Sequence, residues 1–334
     1  MKPDQYPDLK LLITKLEKRH KERQAARALM AASVVLGLLV VTSPLYMQQK
    51  PKVAVAPIDT TQTTTAPDAY ADIALTGKAA IVYDLVTNEV IYEKHSRAQL
   101  PLASLTKLIT TYAGATTLAM NAPVTITSSA LAADGESGLR EGEVFAFSDA
   151  AKLALVGSSN DAAEAIAESA AGYKDTSRKD LLAGVASALN LTQTYAVNGT
   201  GLDVNTTLSG GYGSAYDIAR LAGALLEKAP NLAEATTHAS VTVQAKDGSV
   251  HTLPNTNHDV VEVPNLLLSK TGFTDLAGGN LAVVYDAGIN HPVAVVVLGS
   301  TYDGRFLDVA KLIQRTGKQF AGISGTASVR NPQN

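Results

Sequence analysis

The sequence predicts an α/β domain in which an antiparallel sheet flanked by helices carries an inserted all-helical subdomain, with one N-terminal transmembrane helix ahead of it. Three observations predict this. Short β-type apolar runs lie at both ends of residues 72–322, an Ala- and Leu-rich stretch with helical periodicity separates them over about 113–232, and residues 28–47 are uncharged and apolar.

The elements follow in chain order. Ala79 to Tyr83 and Val90 to Tyr92 flank Asn88 and read as a hairpin. A helix follows Pro101, because Ser104, Leu105, Leu108, Ile109 and Tyr112 recur at helical spacing. In the middle region, Ser148 to Ala171 and Ser214 to Lys228 carry the strongest helical patterns. Strands return at Val241 to Gln244 and Val250 to Leu253 around Asp247-Gly248, then at Leu266 to Thr271, Leu281 to Tyr285 and Val293 to Leu298. A closing amphipathic helix spans about Arg305 to Phe320; Lys311, Arg315 and Lys318 are expected on its solvated face. A sheet split by a helical insertion leaves a cleft between the two parts as the natural site.

The N-terminal organisation is read from charge. Lys10, Lys15, Lys18, Arg19, Lys21, Arg23 and Arg27 mark residues 1–27 as a basic cytoplasmic segment, so the helix over 28–47 sends the rest of the chain outside. The only nearby small-residue pattern, Ala54-Val55-Ala56, is followed by Pro57, so an uncleaved anchor in the cell membrane is expected. Residues 48–71 are Thr- and Pro-rich, a tether, and residues 323–334 form a polar tail.

Composition excludes several classes of chemistry. The net charge of −3, without a basic run in the domain, argues against nucleic acid. With no cysteine, thiol catalysis and thiolate metal sites are absent. The six His form no paired zinc motif, and His251 and Asp259 are expected in loops, so neither a metal nor a cofactor is expected.

Ser104-Leu105-Thr106-Lys107 places a hydroxyl and an amine three residues apart on one helical face. A serine becomes a nucleophile when a neighbouring base removes its proton, and a lysine can be that base when burial or a second cation such as Lys270 lowers its pKa. Chance supplies about one such pair in a chain of this composition, so its company decides. Ser158-Ser159-Asn160 is as common as chance; Lys270-Thr271-Gly272 is rarer, roughly one in eight. The look-alike Arg315-Thr316-Gly317 reads as a helix end with a capping glycine.

The trio occurs in penicillin-binding proteins and class A β-lactamases. Its contexts are Ala103-Ser104-Leu105-Thr106-Lys107-Leu108, Gly157-Ser158-Ser159-Asn160-Asp161-Ala162-Ala163, Asn198-Gly199-Thr200-Gly201-Leu202 and Lys270-Thr271-Gly272-Phe273-Thr274-Asp275. On these residues the chain resembles the serine D-alanyl-D-alanine carboxypeptidases, low-molecular-weight penicillin-binding proteins, over about residues 72–321. The resemblance implies a penicillin-binding/β-lactamase-like fold and trimming of the terminal D-Ala from peptidoglycan pentapeptides, with β-lactams as covalent inhibitors. It implies that Ser104 is acylated, that Lys107 is its base, that Ser158 relays a proton to the leaving D-Ala and that Asn160 orients Lys107. Lys270 and Thr271 would hold the terminal carboxylate beside Gly272, and the N–H groups of Ser104 and Phe273 would form the oxyanion hole. The chain has Asn255-Thr256-Asn257 where many members place an Arg between two Asn, so one cationic contact is missing there. A D,D-endopeptidase or a β-lactamase on the same site, and a non-catalytic wall-binding or antibiotic-sensing module, are the alternatives; the Glu-containing pentapeptide of class A β-lactamases is absent.

Overall fold

The computed structural model describes residues 68–322 apart from 136, 261 and 289, so the basic segment, the transmembrane candidate and the tail lie outside the described residues. Among the described residues no helix is long and apolar enough to cross a membrane.

The central sheet has five antiparallel strands. β1 (Ala79–Asp84) and β2 (Val90–Lys94) form the expected hairpin around Asn88, whose φ of 61° suits the turn. After the short strand β3 (Leu100–Pro101) come helix α1 (Thr106–Thr117), strands β4 (Pro123–Thr125) and β5 (Val144–Ala146), and helices α2 (Phe147–Leu155), α3 (Asn160–Tyr173) and α4 (Arg178–Ala188). Strands β6 (Tyr195–Ala196) and β7 (Gly211–Gly213) then lead to α5 (Ala215–Lys228) and α6 (Pro230–Ala235). A separate hairpin, β8 (Ser240–Gln244) with β9 (Val250–Pro254), precedes β10 (Leu266–Thr274), β11 (Gly278–Asp286), β12 (Pro292–Ser300) and the closing helix α7 (Gly304–Phe320). The sheet order is β10-β11-β12-β1-β2, so both ends of the chain's strand-rich regions meet in one layer.

The side-chain period of two explains why these strands read as apolar runs. Ala79, Ile81, Tyr83, Ala282, Val284, Ala294, Val296 and Leu298 face a core shared with α1, α3 and α5. Their neighbours Ala80, Val82, Leu281, Val283, Val293, Val295 and Val297 face a second core with Phe306, Val309 and Leu312 of α7. With both faces covered, the sheet is the middle of three layers.

Several expectations are corrected. The stretch Ser148 to Ala171 is not one helix: α2 ends at Leu155 and α3 begins at Asn160, with Ser158 between them at φ 57°. Ser159 caps α3 by accepting from the Ala162 N–H at 3.1 Å, a local bond that competes with continuing the helix. The insertion is not all-helical either, since β4–β5 and β6–β7 fall within it. His251 lies on β9 rather than in a loop, and bonds the buried carboxylate of Glu143 at 2.9 Å. Gly317 sits inside α7, and Thr316 bonds Tyr70 Oη at 2.8 Å instead of marking a helix end. Lys311, exposed, and Arg315, half-buried, lie on the outer face of α7 as expected, and there donate to the Ala74 and Ala69 carbonyls. Ala69 and Tyr70 are buried against this helix, so packing begins ahead of Asp72.

Candidate active site

Ser104 lies in a single 3₁₀ turn, Ala103–Leu105, that feeds α1. The turn is entered with Ala103 at φ 48°, a conformation disfavoured for a residue with a Cβ and held here by its surroundings. Two glycines make that packing possible. Gly201 has φ 81°, and a Cβ on it would lie 1.8 Å from the Ala103 carbonyl oxygen. A Cβ on Gly272 would sit 2.9 Å from the Leu102 carbonyl oxygen and 3.2 Å from the Ser104 nitrogen, so a glycine lets β10 approach the serine turn.

Lys107, one turn along, is wholly buried, and its three partners converge from three elements. Its Nζ donates to Ser104 Oγ at 2.9 Å, to Asn160 Oδ1 at 2.7 Å and to the Thr200 carbonyl at 3.0 Å. Burial pushes the Lys107 amine down to about 7, opposed by the negative charges of Glu164 and Asp161. An amine poised there is free to be neutral near physiological pH and to take a proton from the hydroxyl it touches. The Asn160 amide is oriented from its other end, where Nδ2 donates to the Asp134 carbonyl.

Ser158 and Lys270 form the second pair. Lys270 Nζ donates to Ser158 Oγ at 2.9 Å and to the Thr271 carbonyl at 3.0 Å. Burial, then the Lys107 and Arg305 cations, hold the Lys270 amine well below the usual lysine range. Thr271 shares a 2.6 Å hydrogen bond with Thr256, so the side chain at the position that lacks the expected arginine reaches the Lys-Thr-Gly strand as a hydroxyl. Phe273, next along, is exposed and packs edge-on to Tyr302 with ring centroids 5.1 Å apart.

Of the eight residues singled out in the sequence, Ser104, Lys107 and Asn160 are joined by hydrogen bonds, Ser158 and Lys270 form a second bonded pair whose lysine is coupled by charge to Lys107, and Thr271, Gly272 and Phe273 follow on the strand that meets the serine turn. Three contributors escaped the sequence reading of the site. Thr200 acts through a backbone carbonyl, and only the Asn-Gly-Thr-Gly context pointed at it. Arg305 donates to the Gly272 carbonyl at 2.8 Å from the start of α7, and nothing in its local sequence signals that. Glu164 sits one helical turn beyond Asn160 and reads locally as a solvated helix residue, yet is buried. Among the described residues no group of three or more His, Cys, Asp or Glu could hold a metal ion.

A serine hydroxyl bonded to a buried lysine amine and a second lysine–serine pair, at the edge of an antiparallel sheet, are the arrangement of serine acyl-transferring enzymes with the penicillin-binding fold. The family model for D-alanyl-D-alanine carboxypeptidase matches residues 61–301, and the chain belongs to that peptidase family. The chain is 29% identical to the D-alanyl-D-alanine carboxypeptidase DacF of Bacillus subtilis, an alignment covering 77% of this chain and 68% of the relative. It is 32% identical to a D-alanyl-D-alanine endopeptidase of Pseudomonas aeruginosa, over 67% of this chain and 71% of the relative. Among solved structures, the ampicillin-bound penicillin-binding protein D2 of Listeria monocytogenes superposes with a TM-score of 0.62 at 25% identity, covering 73% of this chain and 98% of that one.

Proposed function

We propose that this protein is a serine D-alanyl-D-alanine carboxypeptidase that removes the terminal D-Ala from peptidoglycan stem peptides through an acyl-enzyme on Ser104. The observation that carries the reading is the 2.9 Å contact between a buried, weakly basic Lys107 amine and the Ser104 hydroxyl. Lys107 takes the Ser104 proton as Oγ attacks the penultimate D-Ala carbonyl. The oxyanion is received by the Ser104 and Phe273 N–H groups, and the C–N bond breaks as Ser158, backed by Lys270, delivers a proton to the departing amine. The proton on Lys107 replaces the one Ser158 gave up, which leaves Lys107 neutral; water then cleaves the ester, Lys107 taking its proton as it attacks and returning it to Ser104 Oγ as the C–O bond breaks. Lys270 and Thr271 bind the substrate's terminal carboxylate, and Arg305, bonded to the Gly272 carbonyl, braces that strand from behind. The one-sided basic flank and the uncharged apolar run support an anchor: residues 28–47 span the cell membrane once, the Thr- and Pro-rich segment from residue 48 tethers, and the catalytic domain, whose packing begins at Ala69, is extracytoplasmic.

The test is release of D-Ala from a pentapeptide by the purified protein, alongside covalent labelling by a fluorescent penicillin. Both are expected. The endopeptidase names among the relatives favour one second reading, hydrolysis of cross-linked dimers. Label with dimer cleavage and no D-Ala release would select it, and no label on folded protein would reject the acyl-enzyme. For the anchor, the full-length chain is expected to sediment with membranes and resist alkaline carbonate, while a chain starting at Asp68 stays in the supernatant. Release of the full-length chain by carbonate would overturn that assignment.

A further inference from the structure

Glu164 has no part in the chemistry above, yet its surroundings tie it to the base. It lies on α3 four residues after Asn160, with its residue only 7% exposed, so its carboxylate is held largely out of water. Oε1 accepts the Gly199 N–H at 2.8 Å, and Oε2 accepts from Arg178 at 3.0 Å. The Gly199 carbonyl in turn accepts from Thr110 of α1 at 2.7 Å, so residue 199 is pinned on both sides immediately before Thr200, whose carbonyl receives Lys107. A buried carboxylate is costly to hold unless it is paired, and this one is paired on both oxygens.

We propose that Glu164 is the positioning residue of Lys107: it anchors the backbone that carries the amine's carbonyl partner and places a buried negative charge beside the amine. This rests on the reading of Lys107 as the base. The charged groups facing Lys107 are Asp161 and Glu164 from α3 and Lys270 from β10, with Arg178 on the far side of Glu164 and Arg305 beyond Lys270. Of the two anions that raise the Lys107 amine against its burial, Glu164 has the larger effect. It thereby offsets part of the desolvation and keeps the amine basic enough to accept a hydroxyl proton.

The same carboxylate belongs to a wider brace. Arg178 also bonds Glu168 at 3.1 Å, and Glu168 accepts from Thr127 at 2.6 Å and from Ser129. The loop held there leads to Asp134, whose carbonyl accepts from Asn160. Two of Lys107's three partners are thus steadied through one arginine, but only the Glu164 arm adds charge at the amine itself.

The experiment is the pH profile of penicillin acylation, each protein's rates normalised to its own alkaline plateau. Glu164→Gln keeps an oxygen for the Gly199 N–H and removes the charge. Its acid limb is expected to move to lower pH, so that below neutrality it keeps a larger fraction of its plateau than the parent, while the plateau itself falls because a weaker base takes the proton. Glu168→Gln weakens the brace without altering the charge beside Lys107 and is expected to leave the limb in place. A Glu164→Gln limb that overlays the parent's, or a Glu168→Gln limb that moves equally, would overturn the proposal. A parent that forms no adduct would instead reject the acyl-enzyme, so the two failures are distinguishable.

Discussion

Ser104→Ala is expected to yield a folded protein whose acylation by penicillin and whose release of D-Ala both fall by at least about 10⁴-fold, since loss of a nucleophile removes the covalent route altogether. The fold should tolerate the change. Ser104 is only half-buried, its Oγ bonds Lys107 and no other described group, and Lys107 keeps Asn160 Oδ1 and the Thr200 carbonyl as acceptors. Intact-mass measurement after incubation with penicillin gives the answer directly. Unmodified Ser104→Ala protein beside a quantitatively acylated parent is the expected pair, and an adduct persisting in the variant would place the nucleophile elsewhere, with Ser158 the first candidate to examine.

Lys107→Met is expected to have two effects that separate base catalysis from folding. Removing the general base should slow acylation by about 10²- to 10⁴-fold while Ser104 remains in place. The second effect is on stability. The folded protein releases the Lys107 proton near pH 7, whereas the unfolded chain holds it until about its usual value of 10.5. Between these limits the unfolded state binds the extra proton, so stability rises with pH by about 1.4 kcal/mol per unit from this group. Below pH 7 both states are protonated and the burial penalty is at its full size. Urea denaturation at pH 7 and pH 9 should therefore show the parent gaining about 2–3 kcal/mol on Lys107→Met over that interval, an order-of-magnitude figure for a fully buried amine. A difference that does not change with pH would mean that Lys107 does not titrate in this range, and the base would have to be sought elsewhere.

The sequence disclosed the chemistry of this site better than its scaffolding. That Ser104, Lys107, Asn160 and Lys270 would be brought together was legible because their motifs hold particular side chains at fixed spacings, and such spacings survive in a linear reading. The strands were legible because Ala79–Asp84, Gly278–Asp286 and Pro292–Ser300 are buried on both faces and so run apolar without interruption. The break at Ser158 was hidden because Ala-rich helical patterns flank it on both sides, and a single serine in a left-handed conformation leaves no periodic trace. Thr200 was hidden because a carbonyl belongs to every residue, and it reaches Lys107 across 93 positions of chain. Glu164 and Arg305 were hidden because their function arises only from what tertiary packing sets beside them.

β10, the Lys-Thr-Gly strand, is the end strand of the sheet, paired with β11 and, among the described residues, with no strand on its other side. A strand margin left open is usually a hazard, since any extended chain can dock along it, and this one is covered in part, where Thr236 accepts the Ser269 N–H at 2.8 Å. The open part of that margin lies beside the Ser104 turn and near Ser158. An extended peptide laid against it would be held through main-chain groups by strand addition, whatever side chains it carried. If Lys270 and Thr271 hold the terminal carboxylate as proposed, recognition is strict about where the peptide ends and tolerant of the residues that precede that end.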